Sequence, residues 1–166
     1  MDLVLRGTII RKNIKFTKAE SPDFTIHTEN KNIFIECGSA HLSKPKLGDI
    51  KYKIYSVINK KSSKPYCDPT TALFIDITNI YYNSLINEIL VERDEIREDV
   101  KNALEHTQFG NVILFAYILN KDLNRFESVY IRIDNKNTEE TLLNFLNDGY
   151  PFSEHTVYNF AIPSDS

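Results

Sequence analysis

Two carboxylates and one lysine are the residues whose types and spacing could do chemistry. Asp23 and Glu36 stand on either side of a polar stretch, Glu29-Asn30-Lys31-Asn32, which reads as a turn between two short strands. On the first strand Asp23, Thr25 and His27 alternate with Phe24 and Ile26. On the second, Phe34 and Glu36 alternate with Ile33, Ile35 and Cys37. A two-residue loop at Glu29-Asn30 makes the numbers of paired residues sum to 59. Asp23 then stands opposite Glu36, with β-carbons about 4.5–5.5 Å apart. Slipping the turn to Asn30-Lys31 raises the sum to 61 and puts Gly38 opposite Asp23, with Glu36 a diagonal neighbour on the same face. Like charges facing each other across a ladder repel unless a cation sits between them. Hard divalent cations such as Mg²⁺ or Mn²⁺ take oxygen ligands, so Asp23, Glu36 and the main-chain carbonyl of Cys37 form a candidate metal site. The competing reading places Asp23 in a Ser-Pro-Asp turn and pairs Glu36 with a lysine of the next helix.

The lysine comes from that helix. Gly48-Asp49 opens it, and Ile50, Ile54, Val57, Ile58 and Lys61 recur at the three- and four-residue spacings of one face, so Lys61 continues an inward apolar stripe. Lys53, Lys60 and Lys64 lie off the centre of that stripe and are candidates to meet a phosphate backbone. Further along, TALFIDITN reads as a strand covered on both faces, and a less regular segment through Leu85–Val91 leads to a second helix. Asp94 is its expected N-cap, and Ile96, Val100, Ala103 and Leu104 form its buried stripe. NVILFAYIL is a second buried strand, and SVYIRI a third with one polar face. Asn137 with Glu140 forms a capping-box pattern ahead of a final helix through Leu142, Leu143, Phe145 and Leu146, stopped at Gly149-Tyr150-Pro151. Early apolar residues at Ile9, Ile10, Ile14 and Phe16 suggest one or two further strands. Buried strands alternating with helices indicate an α/β fold, a mixed sheet flanked by helices.

The 166 residues fit a single domain, 1–166, and 42% apolar with 26% charged residues is the balance of a folded globular chain. No apolar run approaches the roughly 20 residues of a membrane span and the N-terminus lacks a signal-peptide pattern, so a cytoplasmic location without membrane contact is expected. Cys37 and Cys67 show no CxxC or Cys/His spacing, which argues against structural zinc and a disulfide framework. The net charge of −3 is unevenly spread: residues 1–84 carry 13 Lys/Arg against 8 Asp/Glu, and seven lysines between Lys44 and Lys64 face the single acid Asp49. The acidic run from Glu88 to Asp99 reads as a solvated helix face. Asp76 reads as a strand-end cap and Cys37 as a buried small residue. Ser39 lacks a base and a strand-to-helix elbow, and His41 reads as an exposed loop residue, with approach to the acids as a proton-transfer group the alternative. There is no P-loop and no GxGxxG.

Ser-Pro-Asp-Phe, a polar turn, Ile-Phe-Ile-Glu-Cys-Gly, then a helix ending Ile58-Asn-Lys-Lys61-Ser-Ser-Lys-Pro-Tyr66 before a buried strand resembles the core of the PD-(D/E)XK nuclease superfamily, the restriction-endonuclease-like fold. The resemblance covers roughly residues 8–120. It implies a metal-dependent endonuclease hydrolysing phosphodiester bonds, of DNA ahead of RNA, in which Asp23 and Glu36 bind Mg²⁺ or Mn²⁺. The family's lysine two positions after the second acid is replaced by Gly38, and Lys61 is its candidate substitute, as in members that carry the lysine on the adjoining helix. Lys53, Lys60 and Lys64 would then steer the substrate backbone. The family's upstream helical acid has no counterpart, which implies a reduced helix or a chain that is part of something longer. Gly38 and the acidic C-terminal half carry the alternative, a catalytically inactive nuclease-like module serving as an interaction or structural domain for a protein partner or an additional domain.

Overall fold

Alternating apolar and polar residues around Glu29–Asn32 close an antiparallel hairpin, and the rest of the sheet grows from it. The computed structural model describes residues 16–18, 22–44, 46–121 and 124–152. The strands expected at Ile9, Ile10 and Ile14 lie outside these. Strands β1 (Phe16–Lys18), β2 (Phe24–His27) and β3 (Asn32–Ser39) are followed by helix α1 (Leu47–Ser62) and strand β4 (Thr71–Asp76). Then come α2 (Thr78–Ile86), α3 (Arg93–Leu104), β5 (Asn111–Asn120), β6 (Arg125–Asp134) and α4 (Glu140–Gly149). Among the described residues the six strands form one mixed sheet in chain order: β3, β4 and β5 are parallel, while β1–β2–β3 and β5–β6 pair antiparallel. The expected α/β class, a mixed sheet flanked by helices, is present. None of the described helices is long and apolar enough to cross a membrane.

Each face of the sheet has its own core. On one, Ile50, Ile54 and Ile58 of α1, Ile80 of α2, and Ile96, Val100 and Leu104 of α3 cover Leu73, Ile75, Val112, Leu114 and Ile131. On the other, Leu142, Phe145 and Leu146 of α4 cover Phe24, Ile26, Ile33, Ile35, Phe74 and Ile113. The polar face expected for β6 is exposed at Ser128 but covered at Arg132. Arg132 is buried, forked onto Asp134 at 2.9 and 2.7 Å, and donates to Asn147 and the Tyr150 carbonyl at the end of α4.

Three element boundaries differ from expectation. The strand beginning at Thr71 ends at Asp76, whose carboxylate accepts the Thr78 amide at 2.9 Å, so Thr78–Ile86 is helical. Thr, Ile and Tyr favour strands intrinsically, and here burial of Ile80 and Tyr81 overrides that preference. Helix α3 is capped at Glu92, with Asp94 in its first turn. Helix α4 is capped at Glu139, whose carboxylate accepts the Thr141 amide. Helix α2 also closes a gap in the sheet. β4 accompanies β5 only as far as Phe115, and beyond it the Thr78 and Tyr82 hydroxyls accept the amides of Tyr117 and Leu119, each at 3.0 Å.

Gly38 sets how closely α1 lies on β3. A β-carbon there would come within 2.7 Å of Val57 Cγ1, so only glycine lets the helix settle at this height. Gly38→Ala is expected to lower stability by about 1–3 kcal/mol through overpacking, and by clearly less in a Val57→Ala background. Denaturant midpoints of the four proteins check this.

Candidate functional site

The hairpin follows the register with sum 59: Phe24 pairs with Ile35, Thr25 with Phe34 and Ile26 with Ile33. Extended by one residue, the same register sets Asp23 opposite Glu36. Glu36 in turn stands in a row that crosses the sheet through Leu73, Val112 and Ile133. An acid thus occupies the position where the neighbouring strands carry buried apolar side chains, and Glu36 is only 3% exposed. A carboxylate at such depth needs partners on both oxygens. Lys61 Nζ ion-pairs with Oε1, and the Tyr66 hydroxyl donates to Oε2 at 2.6 Å.

Lys61 reaches Glu36 because of the contact at Gly38. Helix α1 runs back along β3 before crossing to the parallel strand β4, so one turn along the helix from Val57 matches two residues back along the strand from Gly38. That brings Lys61 to Glu36. The site that would carry a lysine on the strand is therefore taken up by helix packing, and the helix supplies the amine instead. Asp23 is fixed from the other side, its Oδ2 accepting the Cys37 amide at 2.8 Å where β2 has not yet begun. Strand amides and carbonyls of one residue point to the same edge, so the Cys37 carbonyl opens beside Asp23.

This donor set fits a hard divalent cation. The Asp23 carboxylate, which takes the Cys37 amide on Oδ2 and a hydrogen bond from the Cys37 thiol, has lone pairs to spare, each Glu36 oxygen retains a second one, and the Cys37 carbonyl adds a neutral oxygen. Among the described residues no group of three or more His, Cys, Asp or Glu side chains could hold a metal ion, so any metal here would rest on two carboxylates, a carbonyl and water or substrate oxygens. The ion pair of the competing sequence reading, Glu36 with a lysine of the next helix, is also present, and the two arrangements share the same residues.

The remaining candidates separate. Lys60 and Lys64 are exposed at the end of α1 that carries Lys61. Lys53 is half-buried and lies eight residues earlier, about 12 Å along the helix axis. Lys51 is bound to Asp99 of α3, and Tyr55 donates to the Asp99 main-chain carbonyl at 2.8 Å. Asp99 therefore joins two helices instead of lying on a solvated face. His41 is exposed, and Asp76 acts as the cap described above. Tyr66 escaped the sequence reading because nothing in local spacing marks it. Its hydroxyl reaches Glu36 only through the turn that leads into β4.

Cys37 packs toward the α4 side. Burial first, then the charges of Asp23 and Glu36, push its thiol far above the ordinary range, and burial also raises Cys67. Because the folded state holds these protons more tightly, the stability they contribute is present at neutral pH and lost as pH rises above the ordinary thiol range. Both cysteines should react with iodoacetamide at pH 8 much more slowly than in urea, as mass spectrometry can follow; fast native labelling of Cys37 would contradict its placement. Lys61→Met is expected to cost about 2–3 kcal/mol, less than the 3–5 typical of breaking a fully buried pair because the Lys61 side chain is 24% exposed. Adding Glu36→Gln should recover part of that loss in a denaturation cycle.

No known protein family, curated protein or solved structure gives a significant match to this chain.

Proposed function

We propose that this protein is a metal-dependent nuclease that hydrolyses phosphodiester bonds, of DNA ahead of RNA. The observation that carries the reading is that Asp23 is bonded to the Cys37 amide, next to Glu36, while the adjoining helix delivers the Lys61 amine to Glu36. The order of acid-bearing hairpin, helix, strand and helix supports a restriction-endonuclease-like core of the PD-(D/E)XK kind.

Asp23, Glu36 and the Cys37 carbonyl would hold Mg²⁺ or Mn²⁺. When bound, such an ion supplies a water of lowered pKa and positive charge against the scissile phosphate. The chain's own part is electrostatic and positional. Lys61 carries an ammonium beside the acid pair, placed to orient the attacking water or to hold a phosphate oxygen. Lys60 and Lys64 present two exposed positive charges at the same end of α1, where a nucleic-acid backbone would pass. Lys53, half-buried and further along the helix, is the weakest of the proposed backbone contacts.

One observation favours the second reading, an inactive nuclease-like module serving as an interaction or structural domain. Lys61 and Tyr66 already satisfy both oxygens of Glu36, which suffices to explain a buried acid without any reaction. The two readings part in a cleavage assay on plasmid and single-stranded DNA with Mg²⁺ or Mn²⁺. Wild type should cut only with metal, and Glu36→Ala should lower the rate by about 10²–10³. DNA left intact by the wild type, or cut equally well by Glu36→Ala, would sink the nuclease reading.

A further inference from the structure

We propose that Tyr66 is a positioning residue of this site, resting on the nuclease reading: it anchors Glu36 through Oε2 so that the carboxylate keeps its orientation when Lys61 leaves Oε1 for water or phosphate.

The two donors on Glu36 come from different elements and differ in charge. Lys61 belongs to α1 and is a cation, so it competes with any metal ion for the same carboxylate. Tyr66 is neutral, so its hydrogen bond orients Glu36 without opposing a second positive charge. It uses one lone pair and leaves the others free. A glutamate side chain has three rotatable bonds, and with Lys61 gone a single anchor on Oε2 still limits where its plane can turn.

Tyr66 is itself held independently of the Lys61 side chain. Its main-chain carbonyl accepts the hydroxyl of Thr71 at 2.5 Å, and Thr71 is fully buried at the first position of β4. Asp68 closes the same turn by accepting the Thr70 amide and hydroxyl at 2.7 and 2.6 Å, and the Cys67 amide bonds the Lys64 carbonyl at 3.0 Å. The phenol is therefore mounted on the start of a central strand, while the amine is mounted on the last turn of a helix. Movement of Lys61 need not disturb Tyr66.

The test is Mn²⁺ binding to the whole purified chain by calorimetry, alongside Mn²⁺-dependent cleavage, for wild type, Tyr66→Phe, Thr71→Val and Lys61→Met. Tyr66→Phe should weaken Mn²⁺ binding about 10–100-fold, the usual effect of removing a partner that orients a metal ligand. The Mn²⁺ concentration for half-maximal cleavage should rise by the same factor, with a fall of less than about tenfold in the plateau rate. Thr71→Val, which loosens the turn without touching Glu36, should move both in the same direction by less, and it carries the test if Tyr66→Phe fails to fold. Lys61→Met should bind Mn²⁺ at least as tightly as wild type while losing cleavage. Wild-type Mn²⁺ binding with Tyr66→Phe unchanged within twofold would overturn the role of Tyr66 and leave the nuclease reading standing. A wild type that binds no Mn²⁺ would overturn both. A collapsed plateau rate in Tyr66→Phe with unchanged affinity would instead put the phenol on the reacting atoms, against a positioning role.

Discussion

A carboxylate set into an apolar row is the constraint on which the rest of this structure depends. Glu36 occupies a place where the next three strands carry Leu73, Val112 and Ile133, and an acid left alone there would be strongly unfavourable. Its compensation determines the surrounding architecture. Helix α1 must approach β3 closely enough, over Gly38, to bring Lys61 to one oxygen. The turn before β4 must be tight enough to bring Tyr66 to the other. Buried ion pairs of this kind contribute little net stability compared with apolar packing of the same volume.

The same logic divides the lysine-rich helix. Seven lysines between Lys44 and Lys64 form a block in the sequence, yet the fold assigns them different tasks. Lys51 is bound to Asp99 and ties α1 to α3, and Lys61 serves Glu36. Lys60 and Lys64 remain toward solvent at the end of the helix nearest the acids. Exposed positive charge thus flanks both ends of the helix, Lys44 and Lys46 ahead of it and Lys60 and Lys64 at the end that carries Lys61. The acidic run facing α1 likewise loses Asp99 to an interhelical contact.

Much of this was legible from residue spacing, and the parts that were not share a cause. Alternation and turn length narrow the hairpin to two registers, of which the structure adopts the one with sum 59, and the inward position of Lys61 follows from the three-four spacing of Ile50, Ile54, Val57 and Ile58, because both are local periodicities that burial enforces. The end of β4 is not legible because Ile77, Thr78 and Ile80 continue a strand-like composition, and only the Asp76 cap and packing of Tyr81 turn the chain into α2. Tyr66 and Asp99 were passed over for a related reason. Their partners lie 30 and 44 or more residues away, and no short-range pattern records such a meeting. Gly38 was visible as a departure from a motif, but its physical meaning, a helix resting against the strand, required the third dimension.

The hydroxyls of Thr78 and Tyr82 have a consequence at the scale of the whole molecule. Residues 116–120 of β5 outrun β4, leaving a length of strand whose amides would otherwise point outward. Such a margin can template the addition of a foreign strand, the first step toward ordered aggregates. Here two hydroxyls one helical turn apart take successive outward amides, so the margin is sealed by side chains belonging to the same fold. Thr78 and Tyr82 thus do for this margin what a neighbouring strand does for the rest of β5, and a survey of surface charge would not reveal them.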